Sequence, residues 1–317
     1  MSTESAETEH EQEYESRVGA MHAFSRLLED TSAKISLVAI TIISAMALFA
    51  FVDAKLLDYQ LAEMFLYHPL RAESGARPLL PPVGLSNQFG DGVLAHPLGT
   101  DTRGRDIAVR ILYGSRIAIQ IALVSTTIGV AVGTAVGAVS GYYGGWIDDV
   151  LMRFVEILYS IPFLVLVIAF MAAFGRNLTY AMIGVSIISV PIFARLIRSE
   201  VLSIREETYV EAAQAAGVKD RNILLRHVIP NSFAPVVVQT TLQMGTNILI
   251  VAGLSFLGFG AQPPTPSWGQ MLSIARNYML PAPWFSVWPG LAILVTVMAF
   301  NILGDGLRDI LDPRLND

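Results

Sequence analysis

The 317-residue sequence contains no cysteine and only three lysines. Without cysteine, the chain forms no disulfide, offers no thiolate nucleophile and holds no cysteine-ligated metal. Lys34, Lys55 and Lys219 are followed by isoleucine, leucine and aspartate, so the Gly-Lys-Ser/Thr motif of a phosphate-binding loop is missing. Any ATP that drives this protein is therefore hydrolysed by another polypeptide.

Charged residues are also scarce, at 15% of the chain against about 25% in soluble domains, while hydrophobic residues make up 53%. The net charge of −6 argues against a nucleic-acid-binding protein. The five histidines have no metal-ligand spacing, and the Gly-x-Ser-x-Gly motif of many hydrolases is absent. We therefore expect a membrane protein that is not an enzyme and has no metal or cofactor of its own.

Six segments of 17 to 25 residues lack Asp, Glu, Lys, Arg and His altogether. A helix needs roughly 17 to 25 apolar residues to cross a bilayer, and continuously apolar segments do not fit the alternating pattern of a barrel. The sequence predicts an all-α integral membrane protein with six transmembrane helices, at 35–52, 117–141, 157–175, 178–194, 236–260 and 287–304.

An even number of spans places both termini on one side of the membrane. With both ends inside, cytoplasmic segments hold twelve lysines and arginines and outer segments hold nine, of which seven lie in the long loop 53–116. Positive-inside counts carry little weight in such long loops, so we predict cytoplasmic termini. Residues 1–34 then form an acidic, partly disordered tail, and residues 305–317 form a cytoplasmic C-terminal tail.

The polar segment 195–232 lies between the fourth and fifth spans, on the predicted cytoplasmic side. Its alanines favour a first helix that ends at Gly217, and Asp220 is placed to cap a second one. The segment predicts a short helix–turn–helix element. Composition alone favours a solvated hairpin without a partner.

The spacing within this segment resembles a known family, the integral-membrane permease subunits of ATP-binding-cassette importers. They carry Glu-Ala-Ala, three residues, Gly, nine residues, Ile, one residue and Leu-Pro. Arg-His-Val-Ile-Pro-Asn here departs from the Ile and Leu of that pattern and resembles the dipeptide, oligopeptide and nickel branch. The resemblance implies that the matching residues couple the chain to an ATPase: Glu211, Ala212, Ala213, Gly217, Arg226, His227 and Pro230.

Two outer segments resemble the same branch. Gly-Thr-Asp and Gly-Arg-Asp at the end of loop 53–116 are similar to the subunit usually called the C component. Asp106 is placed to cap an amphipathic helix in that loop, and we expect its motif to shape the loop rather than contact substrate. The proline-rich outer loop 261–286 either contacts a binding protein or lies at the membrane interface. The motif residues are Asp101, Gly104, Arg105 and Asp106.

Two further patterns lie inside the spans. Gly129, Gly133, Gly137 and Gly141 recur every four residues on the second span, which predicts a close helix–helix contact. Polar side chains recur at the same spacing on the fifth span. They line either a translocation pathway or a hydrogen-bonded helix interface, and both interpretations stay open for Gln239, Gln243 and Asn247.

The resemblance implies a permease core over 117–304, with five transmembrane helices, the coupling loop 195–232 and the outer loop 261–286. It implies ATP-driven import of di- or oligopeptides, with nickel, glutathione or sugar as alternatives. An ion-coupled carrier is the weaker alternative, because the spans hold no titratable group. The implied partners are a homologous second permease, two ATPase subunits that bind ATP and Mg, and an extracytoplasmic solute-binding protein, in the prokaryotic inner membrane.

Overall fold

The computed structural model describes residue 27, residues 29–72 and residues 75–311. The predictions for residues 1–26 and for the last six residues lie outside this part. In chain order the helices are α1 Thr31–Leu56, α2 Gln60–Phe65, α3 Ile107–Tyr143, α4 Gly145–Ser160, α5 Phe163–Phe174, α6 Leu178–Arg205, α7 Thr208–Ala215, α8 Asp220–Ile223, α9 Ile229–Asn231, α10 Phe233–Phe256, α11 Trp268–Ala275 and α12 Trp284–Leu311. A two-residue hairpin pairs β1 Ser86–Asn87 with β2 Gly90–Asp91.

Five of these helices, α1, α3, α6, α10 and α12, are long and apolar enough to cross a membrane. Helices α3 and α6 run parallel. Ser125 in the middle of α3 donates to the Met182 carbonyl near the start of α6, and Arg205 at the end of α6 donates to the Tyr142 carbonyl at the end of α3. The chain between them returns across the bundle through α4 and α5, which meet at 90°. This bent pair makes the third of the six predicted crossings.

The bend between α4 and α5 lies at Ile161 and Pro162. Proline has no N–H to donate and disfavours helical backbone in the residue before it. The predicted straight span 157–175 therefore differs from the structure: its first turn belongs to α4, and only residues 163–174 form the second helix.

Helix α3 has 37 residues and includes both the predicted amphipathic helix of the outer loop and the second span. No proline lies between the two stretches, so a single helix runs from the Asp106 cap through both of them. Arg110, four residues after that cap, is 1% exposed, although a charged side chain on an amphipathic helix normally lies on the polar face. Similarly, α6 continues to Arg205, so residues 195–205 of the predicted coupling loop 195–232 belong to the same helix as the fourth span.

The bundle has two distinct ends. Residues 206–232, here called the coupling segment, lie at the end of α3 marked by Tyr142, whose hydroxyl donates to Asp220 at 3.2 Å. Residues 66–106, here called the long loop, lie at its other end. Ala33 in α1 packs against Gly306 in α12. The start of the first span and the end of the last span therefore lie on the same side of the bundle.

The four glycines on α3 lie along its contact with α6. A Cβ added at Gly133 would be 2.8 Å from the Val190 carbonyl oxygen, and one at Gly137 would be 2.3 Å from that of Ala194. Only the absence of a side chain lets the two backbones approach this closely. The same holds along the whole ridge of Gly129, Gly133, Gly137 and Gly141.

Candidate functional site

The coupling segment consists of two short helical arms joined at Gly217. Helix α7 ends at Ala215 with Ala216 as its C-cap, and Gly217 follows with φ +75°, a left-handed conformation that glycine adopts without strain. Asp220 does not cap the second arm as predicted. Lys219 occupies the cap position, and Asp220 instead accepts the Tyr142 hydroxyl from the first turn of α8.

Buried side chains attach this segment to the transmembrane helices. Val210, Ile223 and Val228 are each 0% exposed and belong to one apolar cluster with residues of α3, α6 and α10. The Arg205 guanidinium donates to the Tyr142 carbonyl at 2.9 Å, and so joins the end of α6 to the end of α3. The coupling segment is therefore packed directly against the ends of these helices.

The outward face of the coupling segment carries the predicted coupling residues. Glu211, Ala212, Gly217, Arg226 and Pro230 are exposed, while Ala213 and His227 are partly buried. The face also exposes three apolar side chains that the sequence analysis missed: Tyr209, Val218 and Leu225. Their signal was available, because apolar residues in a polar segment are typical of a protein–protein contact.

The polar stripe on α10 enters the helix interface. Asn247 is fully buried and its side-chain amide donates to the Thr126 hydroxyl of α3 at 3.0 Å, and the Gln243 side chain donates to Oδ1 of Asn247 at 2.9 Å. Ser189 of α6 lies 3.4 Å from both amides. Gln239 is half-buried. Gln243 and Asn247 thus form hydrogen bonds to neighbouring helices of this chain, while the pathway role of Gln239, Gln243 and Asn247 stays a prediction.

A buried ion cluster joins the long loop to α3. Asp101 accepts from Nε of Arg105 at 2.7 Å and from the backbone N–H groups of Arg103 and Arg105. Nε of Arg110 lies 3.6 Å from the same carboxylate, and its Nη1 donates to the Pro69 carbonyl at 2.8 Å. A buried carboxylate surrounded by donors in this way fixes the path of the loop.

The rest of the Gly-Arg-Asp motif positions the start of α3. Asp106 accepts from the Val109 N–H at 2.8 Å, as predicted for a helix cap, and its second oxygen lies 2.9 Å from His96 Nδ1. Gly104 has φ +77°, and a Cβ there would lie 2.8 Å from the Ala76 carbonyl oxygen. All these contacts are internal to the long loop and to α3.

The first turns of α3 also contact the outer segment between α10 and α12. Trp268, which begins α11, is buried, and its indole N–H donates to the Ile111 carbonyl at 2.9 Å. A Cβ at Gly114 would lie 2.6 Å from the same indole ring. In the described part of the chain, no group of three His, Asp or Glu side chains is placed to hold a metal ion.

A family profile described as "Binding-protein-dependent transport system inner membrane component" matches residues 133–317. The chain belongs to this family. It is a multi-pass membrane protein and a permease subunit of an ABC importer. Membership implies, in general terms, a second permease, an ATPase and a solute-binding protein as partners.

The permease is similar to two groups of curated relatives. It is 40% identical over 293 residues to the dipeptide transport system permease protein DppC of Alkalihalophilus pseudofirmus, covering 92% of this chain and 89% of that protein. It is 46% identical over 221 residues to the glutathione transport system permease protein GsiD of Pectobacterium atrosepticum, covering 70% and 73%. The identity to both groups exceeds what a shared fold alone produces.

Among solved structures, the permease resembles a chain of the MetNI methionine ABC transporter in an inward-facing conformation. The TM-score is 0.54 at 19% identity, covering 64% of this chain and 96% of that one. A second crystal form of the same transporter gives a TM-score of 0.53 at 21% identity. This likeness shows that the ABC importer permease fold accounts for most of the helical bundle.

Proposed function

We propose that this permease forms half of the translocation pathway for dipeptides or short oligopeptides in a prokaryotic inner membrane. The observation that carries the proposal is the 40% identity to a dipeptide permease, which extends over 92% of the chain. Glutathione is the second candidate cargo, favoured by 46% identity to a glutathione permease over a shorter stretch. Glutathione is itself a tripeptide, so both candidates share peptide chemistry.

The coupling segment is the proposed contact with an ATPase subunit. Its exposed face combines the Glu211 carboxylate, small alanines and the apolar Val218 and Leu225, a surface suited to a shallow protein cleft. A carboxylate forms strong hydrogen bonds with a basic partner group. Because Val210 and Ile223 anchor the segment to the bundle, movement of the ATPase is transmitted to α3, α6 and α10.

The proposed orientation places the coupling segment and both termini in the cytoplasm and the long loop outside. In this arrangement two ATPase subunits bind ATP and Mg, a homologous permease supplies the other half of the pathway, and a solute-binding protein delivers cargo to the outer surface. The lysine and arginine count of the sequence supports this orientation.

Gly217→Asp tests the coupling contact. The substitution adds bulk and charge at the exposed turn, so we expect peptide uptake and transport-stimulated ATP hydrolysis to be lost while membrane insertion continues. Gly84→Asp is the matched control, since Gly84 has φ +83° and, like Gly217, no atom within 4 Å of an added Cβ. Normal uptake by Gly217→Asp would contradict the coupling assignment.

Uptake by the reconstituted complex tests the cargo. With its co-purified binding protein, we expect labelled dipeptide to accumulate only with ATP, and unlabelled dipeptide to compete better than glutathione. Preference for glutathione would select the second candidate. Transport that continues without ATP but stops with an ionophore would contradict both and favour an ion-coupled carrier.

A further inference from the structure

A groove of about 460 Å³ lies between α1 and α3 on the outside of the bundle. Its walls are mostly apolar, and Leu48, Phe51 and Leu123 are about half exposed, at 63%, 48% and 51%. Lys55 and Arg116 lie at one end. The lining residues are Ser44, Ala47, Leu48, Phe51, Lys55, Arg116, Ile119, Gln120, Leu123 and Val124.

The two basic side chains stand at the same level of the bundle. Asp53 of α1 accepts the Tyr113 hydroxyl of α3, which sets the antiparallel register of the two helices beside Lys55 and Arg116. Each basic residue lies within three positions of an uncharged span, 35–52 or 117–141. This is the depth at which lipid headgroups meet the hydrocarbon core.

Neither Lys55 nor Arg116 forms an ion pair with another residue in the described part of the permease. The nearby Asp53 forms no ion pair with them, because its buried carboxylate instead bonds the Leu61 and Ala62 N–H groups and Tyr113. The end of the groove therefore presents two basic side chains without an ion-pair partner in the described part of the permease.

The length of the groove matches one leaflet. From Lys55 to Ser44 and from Arg116 to Val124, the lining descends eleven and eight residues, or about 12 to 17 Å at 1.5 Å per residue. Half of a ~30 Å hydrocarbon core is about 15 Å. Gln120, one turn below Arg116, is placed to donate to a polar group just beneath the charged end.

We propose that this groove binds one anionic phospholipid of the leaflet on the long-loop side. The phosphate lies between Lys55 and Arg116, an ester carbonyl accepts from Gln120, and an acyl chain follows the apolar wall toward Ser44. Charge complementarity selects this occupant over a neutral lipid, and the narrow apolar wall suits an acyl chain. The inference depends on membrane insertion but not on which solute the permease carries.

Lipid retention by the purified importer complex tests the proposal. The complex is incubated with equal amounts of phosphatidylglycerol and phosphatidylcholine in detergent, washed, and analysed by mass spectrometry for lipid per complex. We expect one retained phosphatidylglycerol. Lys55→Gln with Arg116→Gln lowers its retention roughly thirtyfold, since each basic group contributes near the headgroup. Lys34→Gln, at the other end of α1, leaves retention unchanged.

A second pair of variants fills the groove without changing charge. Leu48→Trp blocks the acyl path and lowers retention, whereas Leu249→Trp, on a 56% exposed position of α10 outside the groove, does not. This pair keeps the test decisive if the double charge variant fails to assemble.

Three outcomes would overturn the proposal. Equal retention of both lipids, unaffected by either set of variants, would mean that the charges bind no headgroup. Displacement by excess inorganic phosphate would identify a free-anion site. A cysteine introduced at Leu123 that cross-links to the partner permease would identify the groove as a subunit interface, and the cysteine-free chain makes this assignment clear.

Discussion

At the scale of single residues, the glycines of α3 have the most sharply defined role. A Cβ at Gly137 would lie 2.3 Å from the carbonyl oxygen of Ala194 and 3.0 Å from its Cα. These are backbone atoms, so they cannot move aside by a change of rotamer. Small residues in a transmembrane interface act by permitting such an approach.

We predict that Gly137→Ala destabilises the permease by about 1–3 kcal/mol, the usual cost of overpacking. Thermal unfolding of the purified permease in detergent measures this. Gly253→Ala is the matched control, because Gly253 is also within a transmembrane helix but has no atom within 4 Å of an added Cβ. An equal loss in both variants would attribute the effect to helix propensity instead of packing.

The sequence predicted which residues lie at helix contacts or polar sites more readily than it predicted the residues that they contact. Spacing alone identified the glycine ridge, but α6 as its partner requires the three-dimensional register. Gln243 and Asn247 show the same limit, since a polar stripe on a helix is consistent with a pathway or an interface. Only the structure shows that these two side chains bond to Thr126 and Ser189.

At the scale of elements, the long loop has little regular secondary structure. Its order comes from the buried cluster around Asp101, together with contacts such as the Leu80 N–H to the Thr100 hydroxyl at 2.9 Å. The loop therefore depends on the Asp101 carboxylate. Without its charge, the buried Arg105 and Arg110 guanidinium groups would lose their shared partner.

Asp101→Asn tests this dependence. Breaking a buried ion pair costs about 3–5 kcal/mol, so we expect the long loop to loosen and trypsin to cleave after Arg71 much faster than in the unmodified permease. Asp91→Asn, on an exposed position of the same loop, is expected to leave cleavage unchanged. Equal resistance of the two variants would show that the cluster does not hold the loop.

Helix boundaries were predicted least well where an amphipathic stretch and an apolar span form one continuous helix. The Asp106 cap was found from its position before an apolar run, but the merger of that helix with the second span was not. Hydropathy separates 107–116 from 117–141, whereas backbone hydrogen bonding does not. Conversely, Pro162 divides one apolar run into α4 and α5, since proline acts on the backbone and leaves hydropathy unchanged.

At the scale of the whole molecule, the six crossings place the coupling segment and the long loop on opposite sides. The cysteine-free chain allows single cysteines to report this directly. We predict that a membrane-impermeant maleimide added to intact cells labels Val83→Cys but not Lys219→Cys or Lys34→Cys, all at exposed positions. After membrane permeabilisation all three are labelled. Labelling of Lys219→Cys in intact cells would reverse the proposed orientation.

The architecture was largely predictable because a bilayer restricts a chain to few solutions. Continuous apolar runs must become helices, and their number fixes the arrangement of the ends. The common direction of α3 and α6 follows from these rules, because a single crossing separates them. Their close contact along the glycine ridge was not predictable from these rules.

That arrangement has a mechanical consequence. The backbones of α3 and α6 touch from Gly129 to Gly141, and Arg205 joins their ends beside the coupling segment, so the pair tilts as one stiff rod. Helix α3 has 37 residues and is about 55 Å long. A tilt of about 10° at the coupling end would swing the far end, which carries the long loop, through roughly 10 Å. If the ATPase docks at the coupling segment as proposed, a small displacement there would become a displacement of roughly 10 Å at the end that carries the long loop.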